Sequence, residues 1–143
     1  MPGFQEEETA ATPEVQLDLK GVPEELHELL IESASNDDID EVLAAARRVM
    51  PNPDGTVGIV FRKDYKGAKG NTSQVKLRAM KARDYIDGTT RDLVNANDMG
   101  ATLEFGMRLS SDPAAVQELD RLDSYAIYLG VRVLRKNWSS PKP

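Results

Sequence analysis

The side chains able to do chemistry in this sequence are few. There is one histidine, His27, and no cysteine, which removes disulfides, thiol catalysis and thiolate metal sites together. His27 lies between Leu26 and Glu28, and no second histidine exists to share a metal, so no zinc site is expected. Its expected role is that of a solvated histidine on a helix face. Asp37, Asp38, Asp40 and Glu41 resemble a divalent-cation cluster. A calcium loop of the EF-hand type, however, needs a glycine at its sixth position, and counting from Asn36 that position is Glu41. Helix capping accounts for these acids instead. Lys66-Gly67-Ala68-Lys69-Gly70-Asn71-Thr72 invites comparison with a phosphate-binding loop, yet two residues separate the glycines and Asn71 stands where the lysine belongs. No nucleophile elbow, His-Glu-x-x-His or dinucleotide glycine fingerprint is present. Acid pairs such as Asp120 and Asp123 can be brought together by folding, but their spacing marks them no further than a solvated helix face. The expectation is a protein that is not an enzyme and uses no cofactor or metal.

One feature is harder to assign to a plain solvated surface. Residues 62–83 carry eight bases, Arg62, Lys63, Lys66, Lys69, Lys76, Arg78, Lys81 and Arg83, against one acid, Asp64. The whole chain has a net charge of −6; residues 1–54 stand at −11 and the remainder at +5. Such asymmetry governs partner attraction and association rate rather than fold. With Tyr65 available to stack and glycines to loosen the loop, the basic segment is a candidate binding surface for phosphates or for acidic protein. The sequence pI of about 4.8 weighs against a dedicated nucleic-acid binder. The acidic half, from the same or a neighbouring copy, is an alternative occupant, which makes a homo-oligomer one option. Trp138, beside the C-terminal tail, reads either as the last core residue or as an exposed anchor for a partner.

The elements that position these residues follow from periodicity. Val15, Leu17 and Leu19 alternate with polar residues and predict a short strand. Pro23 suits a first helical position, with Glu24, Glu25 and Glu28 at the positive end of the dipole. Ile39, Val42, Leu43, Ala46, Val49 and Met50 share one helical face, and residues 51–55, Pro-Asn-Pro-Asp-Gly, end that helix. Val57, Ile59 and Phe61, then Val75, Leu77 and Ala79, predict a β-hairpin closed by a basic loop over residues 63–72. Residues 81–97 and 101–109 are helical in pattern, weakened at Gly88. Asp112 and Pro113 open another helix, whose apolar face runs from Val116 to Val133, with a restart near Asp123-Ser124.

The fold class expected is therefore α+β: a small antiparallel sheet, built from the hairpin and an N-terminal strand, with a predominantly helical C-terminal half. At 143 residues, one domain over residues 14–138 is expected, with a disordered acidic tail at 1–13 and a flexible one at 139–143. No apolar run reaches membrane-spanning length, and the acidic N-terminus is unlike a signal peptide. The chain reads as soluble and cytoplasmic, without membrane contact.

From Val75 onward the order of features resembles the small tail-assembly chaperones of long-tailed bacteriophages. The matching stretches are Val75-Lys76-Leu77-Arg78, then Leu119-Asp120-Arg121-Leu122-Asp123, then the aliphatic helix over residues 127–134. The resemblance covers about half the chain. It implies no enzymatic activity, and binding to a tape-measure protein and tail-tube subunits in the cytoplasm of a host cell. The other expectation is a small regulatory or inhibitory protein that contacts nucleic acid, or a nucleic-acid enzyme, through the basic hairpin.

Overall fold

The computed structural model describes residues 17–95 and 98–139. A three-stranded antiparallel sheet, β1 (Val49–Pro51), β2 (Val57–Gly67) and β3 (Gly70–Leu77), is ordered β1-β2-β3. A 3-10 turn at Glu24–Leu26 leads into α1 (His27–Glu32), and α2 (Ile39–Ala46) precedes the sheet. After it come α3 (Ala82–Ile86), α4 (Gly88–Asn95), α5 (Met99–Leu109), α6 (Pro113–Gln117) and α7 (Arg121–Ser139). This is the α+β architecture with a helical C-terminal half that the periodicity predicts. Among the described residues no helix is long and apolar enough to cross a membrane.

The third strand is not the one the alternation suggested. Val15 lies outside the described residues, and Leu17 to Leu19 carry no strand. Val49–Pro51 takes that place, cut from what read as the end of α2. Pro51 explains the switch: it disfavours helical backbone at Met50 and offers no N–H to continue a helix. Val49 instead pairs with Ile59 and buries its side chain. The hairpin also differs from expectation. What read as a ten-residue loop is mostly strand, closed by a tight turn at Ala68-Lys69, with Gly70 at φ 109°. Residues 81–109 form three helices rather than two, because Asp87 leaves helical geometry (φ −68°, ψ 114°) and its carboxylate accepts from the N–H groups of Thr89 and Thr90. The Asp112-Pro113 start is as expected, the Asp112 carboxylate accepting from Ala115 N–H.

α7 is the axis of the molecule. From Ala126 to Leu134 all but Tyr128 and Arg132 are buried, so that stretch packs on several sides at once. It meets α2, α5 and the inner face of the sheet, in one core cluster extending from Val22 to Leu134. Two glycines permit the closest crossings. A Cβ at Gly106 on α5 would stand 2.6 Å from Ile127 Cγ2, and one at Gly130 on α7 would stand 2.7 Å from Ile59 Cδ1. Alanine at either position is expected to overpack the core and to cost about 1–3 kcal/mol, read as a lowered urea midpoint with the slope unchanged.

Candidate functional site

The basic hairpin is built on a β-bulge. Val60 pairs with Gln74 and Tyr65 with Thr72, so residues 61–64 of β2 oppose Ser73 alone. Bulges of this kind re-aim side chains and strengthen local twist. Phe61 and Tyr65 remain inward while Arg62, Lys63 and Asp64 are exposed. The hydroxyl of Thr72 donates to Gln74 O at 2.8 Å and accepts from Gln74 N–H at 3.3 Å, which occupies that stretch of the β3 main chain locally.

Three aspartates hold the bulge and the tip. Asp123, in the first turn of α7, is fully buried. Its Oδ1 accepts from Arg62 N–H at 3.1 Å and its Oδ2 from the Tyr65 hydroxyl at 2.5 Å. The guanidinium groups of Arg62 and Arg48 lie 3.4 and 3.5 Å from Oδ1. A buried carboxylate demands such partners, since stripping its water without them costs several kcal/mol. Asp120 caps α7 by accepting from Asp123 N–H at 2.9 Å, and it also binds the Arg62 guanidinium, with Lys63 Nζ 3.8 Å away. The Asp123 N–H first, and Arg62 next, hold the Asp120 carboxyl below the ordinary aspartate range. At the tip, Asp112 Oδ1 accepts from Ala68 N–H at 3.1 Å as well as capping α6. A Cβ at Gly67 would overlap that carboxylate, so a larger residue there would force the Asp112 side chain to shift from its cap.

The residues singled out from sequence therefore separate. Tyr65 is corrected: at 7% exposure, with its hydroxyl on Asp123, it has no face to offer a stacking base. Arg62 and Lys63 are drawn to Asp120. Arg78 makes a bidentate pair with buried Asp84, at 3.1 and 2.9 Å, and ties α3 to the end of β3. Burial pushes the Asp84 carboxyl up, but Arg78 and the Lys81 N–H outweigh it, and the net shift is downward. Lys66, Lys69, Lys76, Lys81 and Arg83 are exposed and form no ion pair among the described residues. Trp138 stands between the two roles expected of it, 37% exposed and stacked on Tyr85 with ring centroids 5.3 Å apart.

The rest of the chemical inventory is committed to structure. The His27 ring is partly buried and its Nε2–H donates to Val22 O at 3.0 Å, rather than standing free in solvent. Asp38, expected as an acid of the helix's first turn, accepts from the Tyr125 hydroxyl, and Glu41 binds Arg121. Among the described residues no three His, Asp or Glu side chains are placed to hold a metal ion. The residue that spacing alone undervalued is Asp123. Its one sequence signal is an acid three residues after another acid at a helix start, a pattern shared with many solvated helices. Against protein-family models, curated proteins and solved structures, the chain has no match.

Replacing Asp123 with Ala strands the Tyr65 hydroxyl, the Arg62 N–H and Arg48 at once, and is expected to cost about 3 kcal/mol or more in chemical denaturation. Burial first, and then the bond to Asp123, push the Tyr65 phenol from 10.0 up to about 12. The folded state thus keeps a proton that the unfolded chain releases near pH 10. Stability falls as pH rises between those values, by about 2–3 kcal/mol. Tyr65→Phe is expected to be less stable than the parent at pH 8, and the gap is expected to close by pH 12 in the same denaturation series.

Proposed function

We propose that this chain is a non-enzymatic docking and assembly protein of the tail-assembly-chaperone kind, which binds a tape-measure protein and tail subunits through its basic hairpin. The observation that carries this reading is a rigid stem beneath free charge. Asp123 and Asp112 anchor the hairpin at its bulge and its tip, while Lys66 and Lys69 stay exposed with no carboxylate partner among the described residues, and exposed Lys76 meets only the field of Asp54. A pre-ordered arm loses little conformational freedom when a partner binds, which favours docking. The buried carboxylates support the same reading. Asp84 and Asp123 each hold an arginine and several hydrogen bonds, an arrangement suited to fastening elements rather than to moving protons. The alternative, a regulator contacting nucleic acid through this hairpin, retains the lysines but loses Tyr65 as a stacking platform.

The test has two arms. Co-expression with the products of neighbouring tail genes is expected to yield a co-purifying complex; its absence, together with an absence of tail genes nearby, would reject the reading. Reversing Lys66, Lys69 and Lys76 to Glu is expected to leave the thermal midpoint within a few degrees and to abolish that complex. Arg78 is left out of the reversal because its loss would strand buried Asp84. Binding by the parent is also expected to weaken as salt is raised from about 0.05 to 0.5 M, since exposed charges are screened beyond about a Debye length.

A further inference from the structure

The glycines of this fold fall into distinct groups. Gly21, Gly55 and Gly70 have φ of 79°, 90° and 109°, where other residues are strained. At Gly67, Gly106 and Gly130 a Cβ would collide with Asp112, Ile127 and Ile59 respectively. Gly88 and Gly100 sit exposed in the first turns of helices, where glycine costs little. Gly58 fits none of these. It lies in the central strand, paired with Met50 on one side and Lys76 on the other. Its φ is not positive, and a Cβ there would find Met50 O at 3.8 Å and Met50 Cβ at 4.0 Å, which is ordinary contact. Glycine weakens a strand interior, and among the described residues neither backbone nor packing requires it here. A strand glycine marks a bulge, a tight bend, or a place where a ligand or another main chain comes close; Gly58 is in regular register and the bulge of β2 begins only after Val60, which leaves the close approach.

Its surroundings say what kind of chain that is. The register places Met50, Gly58 and Lys76 in one row across the outward face, with Val60 and Gln74 in the next and Lys66 beside Asn71 further along. Met50 is 48% exposed, Gln74, Lys66 and Lys76 are exposed, and Val60 is half-buried. The face is low at its centre, mildly apolar beside it, and carries the positive charges of Lys66 and Lys76, of which Lys76 also feels Asp54. We infer that an acidic protein segment lies along this face, its main chain or a small side chain seated over Gly58 and its carboxylates reaching Lys76 and Lys66. The inference rests on the docking function proposed above and narrows it to one face and one point of closest approach.

The decisive variant is Gly58→Thr, which adds a β-branched side chain where there is room for it. Its thermal midpoint is expected to equal or exceed that of the parent, because the fold gains a residue better suited to a strand. Its affinity for a fluorescein-labelled Glu/Ala copolymer, followed by anisotropy, is expected to drop about tenfold or more, since the added atoms occupy the seat. A midpoint lowered by several degrees would overturn the inference, because the fold would then need the glycine. Undiminished binding by Gly58→Thr, alongside loss of binding on reversal of Lys66, Lys69 and Lys76, would overturn it and leave the docking function standing. No binding by the parent, or binding that survives charge reversal, would overturn both. Preference for a single-stranded oligonucleotide over the copolymer would overturn the assignment of an acidic protein partner.

Discussion

A single buried carboxylate organises this molecule. Asp123 sits in the first turn of α7, where the helix dipole favours a negative charge, and its side chain points into the bulged strand β2. Four groups converge on it: the Arg62 N–H, the Tyr65 hydroxyl and the guanidinium groups of Arg48 and Arg62. A buried charge of this kind contributes little net stability when complete and costs several kcal/mol when any part is missing. It couples the hairpin to α7, because these four groups keep their carboxylate partner only while β2 lies against that helix. Among the described residues Arg48 Nε is buried without a hydrogen-bond partner, so even this placement leaves one donor unpaired.

The rest of the architecture follows from that placement. With β2 fixed at its bulge, its inner residues Val57, Ile59 and Phe61 form the floor on which α7 packs, and Gly130 lets the helix approach. The edge beyond β3 is closed by the segment after α5. Arg78 N–H donates to Leu109 O, and Ser111 N–H donates to Lys76 O, each near 3 Å. Lys76 N–H in turn donates to the Ser111 hydroxyl. The outer edge of β3 is thus engaged near its end by the main chain of residues 109–111 and further back by Thr72. Among the described residues the outward face of the sheet is left open while the edge of β3 is engaged, so docking on that face does not require the β3 edge to be kept exposed.

This arrangement separates the two kinds of charge in the molecule. Cations near α7 are spent internally: Arg62 and Lys63 on Asp120, Arg121 on Glu41, Lys136 on Glu28. Lys66 and Lys69 at the hairpin tip form no ion pair among the described residues, and Lys76 on the outward face meets only the field of Asp54. Exposed pairs of the first kind are worth little individually and mainly orient side chains. The second kind sets the long-range field, and with it the rate and choice of association. The chain-wide acidity and the local basic face are compatible because they act at different distances.

Much of this was legible in the sequence, and the physical reasons mark the boundary. The alternation at Val57, Ile59 and Phe61 and at Val75 and Leu77, the Asp112-Pro113 start, and the long apolar stripe of the last helix are local signals, set by side-chain period and backbone chemistry within a few residues. So was the scarcity of catalytic residue types. Three things were decided only by tertiary structure. Val49 and Met50 carry helical spacing up to a proline that ends it, but only pairing with β2 made them a strand. Tyr65 has the composition of a stacking residue, but the bulge turned it inward onto a carboxylate 58 positions further along the chain. Asp123 is an ordinary helix-start acid in sequence; only burial against Arg48, Arg62 and Tyr65 makes it the centre of the fold. Local pattern sets which face a residue prefers, whereas the cost of an unpaired buried charge, settled between distant segments, sets what that face must meet.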